Sequence, residues 1–485
     1  MPQSSSKSNL SAFFTLTIVF FFWGFVAASN DILIPVFKDH LHLAAWQSQM
    51  ISFCFYFAYT VGAIIYFIVS KAIGGDILNK IGYRNGIALG LVISTVGALL
   101  FYPAAETASF YLLLSGLFVI GLGYALQQTA ANPLAIAMGN PKTGAQRLSM
   151  AGGINNFGTT IGPVVVSFAI FGSVASGNTT ASISSVKFPY LIIGALFLLV
   201  AVIFKFSQLP NKIDPEQVSD TMTGKDAHGK EKGVFSYLQL SLGMIAIFLY
   251  VGVEVSTASN MPLFLQKNLH FATSNIAPYI SLYWASLMIG RWTASVGAFN
   301  MSDTAKKIMR FVMPYIAFGV FLAINAIAQR DVTPFYVYGF VIIAMIIGDL
   351  LSKGNPARQL FIFSSMAIIA LFIGMLTHGM VSAFAFISVG LFCSTLWPCI
   401  FTLAVSGLGK HTGEGSSFLI MMIMGGGVIS LLQGYLAEHL LGIQWSYLVG
   451  VGCFIYLAFY ALKAMSVLKS QGIDFDSAAV TTGGH

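Results

Sequence analysis

Charge is scarce in this sequence: Asp, Glu, Lys and Arg make up 8% of 485 residues, against 56% hydrophobic. Such a chain cannot hide its apolar surface in a water-soluble core, which excludes a soluble protein and leaves an all-α polytopic membrane protein. Cysteine is nearly absent. Cys54, Cys393, Cys399 and Cys453 all fall in apolar runs without a CxxC pair, so neither a disulfide framework nor a cysteine metal site is expected. Enzyme signatures are missing too: there is no HExxH, no GxSxG and no complete GxxxxGK[ST], and the fragment GLGKHT has the wrong spacing for phosphate. No enzymatic activity and no cofactor are expected. The net charge of +7 is not a nucleic-acid signal, because the basic residues sit in short loops between apolar runs and so report topology.

Apolar runs, by contrast, are abundant. With a window of about 20 residues, spans fall near 12–36, 46–70, 84–104, 108–138, 147–172 and 187–207. The polar start MPQSSSKSNL leads into the first run without a small-residue cleavage signal, so that run reads as a retained span and not a signal peptide. The most polar stretch follows, Ser207 to Gly233, without aromatics and with both charge signs, and reads as a flexible linker. Further spans fall near 237–265, 274–299, 306–328, 333–352, 357–377, 379–406, 414–440 and 445–468. About fourteen helices result. With both termini cytoplasmic, most of the 24 Lys and Arg residues lie inside, which fits the positive-inside rule. Six spans, a charged linker and a second set suit a transporter of two bundles rocking about a central site, although eight spans in the second part is two too many for simple duplication.

Several motifs narrow the reading. G-x-x-x-N-K-x-G-Y-R, Gly75 to Arg84, resembles the cytoplasmic signature of the major facilitator superfamily, with Asn79 where an aspartate usually stands. NDILIP (30–35), LFYPAAE (100–106), TAANP (129–133), INNFGTT (154–160), YVGVEVS (250–256), LMIGRW (287–292), KGNPAR (353–358) and LFCSTLWPCIFTLAVSGLGKHTGEGSS (391–417) occur in that order. Together they resemble the fucose/glucose/galactose/N-acetylglucosamine sugar-porter family of that superfamily. The resemblance implies a major facilitator fold: a six-helix bundle over 1–207, a cytoplasmic linker over 208–236, a second bundle over 237–303 and 357–468, and a tail over 469–485. The extra material, 304–356, is expected to be an inserted transmembrane hairpin.

The resemblance also assigns roles. Asp31 of the NDIL motif matches the aspartate of proton translocation in proton-coupled members, and a desolvated carboxylate that gains a proton or offsets a cation is what coupling needs. The glutamate that precedes the TAANP-type motif in fucose:proton symporters is here Gln128, which resembles the glucose, galactose and N-acetylglucosamine branch and suits a sugar ligand. Glu254, mid-span among small and apolar residues, is the second candidate for ion or sugar binding, or else a structural partner of Arg291. Arg291 itself reads as snorkelling to the interface. Gly152 stands where the family commonly has a glutamine, a departure expected to enlarge the cavity or alter sugar contacts. Asn30, Asn132, Asn155, Asn156 and Asn260 are further amide candidates, with Asn156 slightly preferred over Asn155, and Trp397 is a stacking platform for a pyranose.

The expectation is a proton-driven importer of a hexose or N-acetylhexosamine, most simply glucose or galactose, monomeric, in the inner (plasma) membrane and surrounded by lipid bilayer. Sodium coupling, with Asp31 as a metal ligand, or uniport are the close alternatives. A drug or lipid efflux antiporter would want a more apolar cavity than these amides provide.

Overall fold

The computed structural model describes residues 12–26, 45–140, 143–171, 187–212, 233–271, 276–299 and 301–476. Every regular element in them is helical. The first half comprises α1 (Ala12–Val26), α2 (Ala45–Ala72), α3 (Tyr83–Glu106), α4 (Phe110–Ala137), α5 (Gly144–Phe171) and α6 (Lys187–Phe206). The second comprises α7 (Leu238–Leu269), α8 (Ala277–Ser295), α9 (Asp303–Ile327), α10 (Tyr338–Ser352), α11 (Pro356–Leu376), α12 (Gly379–Val405), α13 (Gly409–His439) and α14 (Gly442–Ser470). Among the described residues, 11 helices are long and apolar enough to cross a membrane, and α1, α5 and α8 complete the order. These are the fourteen spans expected. Asn30, Asp31 and linker residues 213–232 lie outside the described residues.

Local sequence explains the breaks. In KGNPAR, Lys353 ends α10 in the left-handed region (φ 52°), and the Asn355 side chain accepts from the Ala357 and Arg358 amides at 3.0 and 3.1 Å. Pro356 then starts α11, where a missing N–H costs nothing. At the other junctions basic side chains take orphan helix-end carbonyls. Arg147 Nε donates to Ala135 O at 3.1 Å at the end of α4, and Arg84 Nη1 to Ser207 O at 2.7 Å just beyond α6.

Small residues set helix spacing. A Cβ on Gly24 of α1 would lie 1.9 Å from Asn155 O of α5, and one on Gly425 of α13 would lie 2.0 Å from Phe248 O of α7. This is close backbone packing of the kind that small residues permit in membranes.

Within the first half, α3 packs on α4 and α6, and α2 on α4. In the second, α7 packs on α13 and α14, and α11 on α12 and α14. The two extra helices join the outside of the second bundle, α9 against α8 and α10 against α11. Arg310 of α9 pairs with Asp349 of α10 at 3.5 Å, and Gln359 of α11 donates to Asp349 Oδ1 at 3.1 Å. The fold is thus two six-helix bundles with an inserted helix pair.

The bundles meet at the face that carries the basic loops. Asp76, N-cap of the short helix Ile77–Ile81, accepts from Leu78 N and from Glu414 N of α13, both at 2.9 Å, and from Tyr66. Burial pushes its carboxyl above the ordinary range. Asn79 Nδ2 donates to Lys410 O at 3.1 Å, and Gln146 Nε2 to Gly354 O at 3.0 Å.

Candidate functional site

Four helices, α5, α7, α8 and α12, converge on one polar cluster. Glu254 of α7 is ringed by protein atoms yet keeps accessible surface, so it faces an internal opening and not lipid. The hydroxyl of Tyr250, one turn earlier on the same helix, donates to Glu254 Oε2, and Tyr283 Oη of α8 donates to the Glu254 carbonyl at 2.7 Å. Trp397, in the second part of α12, lies with its ring centroid 6.2 Å from that of Tyr250. α12 is interrupted at Ser394–Thr395, just before Trp397 and Pro398. That interruption leaves the Ser394 carbonyl free to serve as an acceptor.

Arg291 of α8 takes it. Its Nε donates to Ser394 O at 2.9 Å, and its Nη1 donates to Asn156 Oδ1 at 2.7 Å and to Gly152 O at 3.3 Å, both on α5. The snorkelling expectation is therefore corrected: Arg291 is 9% exposed and crosses from one half of the molecule to the other. Trp292 does the same with its Nε1, 3.1 Å from Gly153 O. The expectation for Gly152 changes with it. A Cβ there would lie 3.0 Å from Arg291 Nη1 and 3.2 Å from its Cδ, so the guanidinium fills the space that the glycine vacates.

Gln128 belongs to a second polar group, on the first half, and donates to Tyr59 Oη at 3.0 Å. Its neighbour Gln127 is a core amide, fully buried, accepting from Trp23 Nε1 at 2.8 Å and donating to Ser94 Oγ at 3.0 Å. Asn155 is half-buried and donates to Phe20 O at 2.9 Å, whereas Asn156 is 3% exposed and committed to Arg291. Asn132 is buried with no partner for its Nδ2. Asn260 is buried against its own helix, its Nδ2 2.9 Å from Ser256 O, six residues beyond Glu254 and outside the cluster. Sequence reasoning passed over Tyr59, Tyr250 and Tyr283. The spacing of Tyr250 and Glu254, i and i+4 on a helix, is the signal that could have found one of them.

A family model of the Major Facilitator Superfamily matches residues 12–345. The chain belongs to the major facilitator superfamily. Its membership in the sugar-porter branch follows from curated relatives along nearly the whole length. A glucose/galactose transporter of Brucella abortus is 34% identical over 95% of this chain and 96% of its own. A putative glucose/galactose transporter of Helicobacter pylori is 31% identical over 94% and 97%. Among solved structures, the E. coli fucose:proton symporter FucP superposes with a TM-score of 0.70 at 25% identity, covering 94% of this chain and 99% of that one. This major facilitator chain is thus a multi-pass membrane protein with the twelve-helix core of that fold and two helices added.

Proposed function

We propose that the chain is a transporter, not an enzyme, and that it imports a hexose or N-acetylhexosamine, glucose or galactose above all, by proton symport. The observation that carries this reading is the set of polar groups in the apolar helices: Gln128, Asn155 and Glu254 each retain accessible surface, and the Trp397 ring lies 6.2 Å from that of Tyr250, the partner of Glu254. A hydroxyl-rich ring with apolar faces needs hydrogen-bonding amides and an aromatic platform together. The names of the relatives agree, since two of them are called glucose/galactose transporters and a third, 26% identical over 94% of this chain, an L-fucose-proton symporter. Gln128 keeps the hydrogen-bonding capacity of a glutamate without its titration, so in this reading one acid fewer takes part in proton movement than in a fucose-type symporter.

In this account the bundles, 1–207 and 237–303 with 357–468, rock about the site, linked by cytoplasmic residues 208–236 and flanked by the hairpin 304–356 and the tail 469–485. The termini and the basic loops face the cytoplasm, and the chain works as a monomer in the plasma membrane. Asp31 takes up and releases the coupling proton, Glu254 assists, and Asn30, Gln128, Asn132, Asn155 and Trp397 hold the sugar, while Asn156 is held by Arg291 and Asn260 by the Ser256 carbonyl. Opening of the two faces in alternation couples the two events. Asp31→Asn is expected to abolish accumulation of labelled sugar in proteoliposomes while exchange of internal for external sugar persists. Unchanged accumulation would remove Asp31 from the coupling step.

A further inference from the structure

Arg291 holds more than one half of the molecule can explain. Its Nη1 grips α5 through Asn156 Oδ1 and Gly152 O, its Nε grips α12 through Ser394 O, and its Nη2 makes no hydrogen bond and keeps accessible surface. The side chain as a whole is 9% exposed. Glu254 is the acid whose charge it feels there, with no ion-pair contact between the two in this state. The adjacent glycines 152 and 153 let Arg291 and Trp292 seat directly on the α5 backbone, since a Cβ at 153 would lie 2.6 Å from Trp292 Cδ1.

When the basic face opens, α5 and α8 must separate at this point and Nη1 loses both acceptors. A desolvated guanidinium left unpaired is strongly unfavourable, so a second partner has to be within reach. We propose that Arg291 is a positioning residue that exchanges partners during transport: it holds Asn156 and the Gly152 carbonyl while the basic face is closed, and pairs with Glu254 when that face opens. This rests on the alternating-access reading above, not on the identity of the sugar or the coupling ion.

The test is a distance measurement on the full-length protein in nanodiscs without cargo, with spin labels at Asn140→Cys and Asp303→Cys and with Cys54 replaced by Ser. Asn156→Ala removes a tie of the closed state only, and the ratio of long to short distances is expected to rise about tenfold, whereas Arg291→Gln loses a partner in both states and is expected to shift the ratio less. Glu254→Gln removes the partner of the open state only, so its ratio is expected to fall. A staple with no second partner would leave the Glu254→Gln distribution unchanged, or shift it the same way as Asn156→Ala. Either result overturns the exchange. Should Arg291→Gln fail to fold, Asn156→Ala against Glu254→Gln still decides it, because the claim is the opposite sign of the two shifts. Failure of the wild type to move sugar would sink the sugar reading and leave these distances standing.

Discussion

An ionisable side chain in the middle of a membrane span costs about 2.5 to 3.5 kcal/mol on insertion scales, so Glu254 has to be held by its surroundings. The Tyr250 hydroxyl and the field of Arg291 do that, from two helices. The glycines beside the site are equally committed. Gly24→Ala puts a Cβ against the backbone carbonyl of Asn155, an obstacle that cannot rotate away, and is expected to destabilise the protein by about 1 to 3 kcal/mol in a detergent melt. An unchanged melting temperature would show that α1 and α5 are not so closely packed. Sequence composition marked Glu254, Gln128 and the amides as polar groups in apolar runs, because cost alone makes such residues stand out. It could not rank them. Whether Asn156 faces cargo or a guanidinium depends on a residue 135 positions away, and Arg291 near a helix end has the same sequence signature whether it snorkels outward or reaches inward.

At the scale of elements, hydropathy was sufficient for the fourteen helices, and KGNPAR was legible as a junction because its cap, proline and left-handed lysine act locally. The tie that holds the two inserted helices to each other was not legible, since it depends on Arg310 of α9 meeting Asp349 of α10, which Gln359 of α11 also holds. Asp349 is buried and Arg310 nearly so, so removing one partner strands the other. Arg310→Leu is expected to cost about 3 kcal/mol or more, and Arg310→Leu with Asp349→Leu to recover most of that loss, as the melting temperatures of the two variants would show. The tail is attached differently. Asp476 accepts from Asn355 at 2.7 Å, Arg358 at 2.8 Å and Lys469 at 3.1 Å. Burial alone would raise its carboxyl, but these partners together hold it below the ordinary value. The stability it contributes is therefore present above its unfolded pKa of about 3.9 and lost as pH falls through the lower folded value. Asp476→Asn should cost less than about 1 kcal/mol at neutral pH, because the group is about a third exposed, and the difference from wild type should vanish in acid.

For the molecule as a whole, the two bundles are joined at the basic face by Asp76 to α13, Asn79 to Lys410, Gln146 to Gly354 and Arg291 to α5. The signature loop from Gly75 to Arg84 thus forms part of the contact between the two halves, and Asp76 supplies a carboxylate to that loop although position 79 is an asparagine. The ties of Asn79 and Gln146 are neutral hydrogen bonds worth about 1 kcal/mol each, whereas those of Asp76 and Arg291 involve charged groups and are worth about 1.5 to 3 kcal/mol. The central claim is that a sugar is concentrated at the expense of a proton gradient. The most direct measurement is uptake of labelled glucose and galactose into proteoliposomes under an inward pH gradient with sodium clamped. Accumulation above equilibrium, abolished by a protonophore, is the predicted result, and equilibration without accumulation, or accumulation only under a sodium gradient, would contradict it.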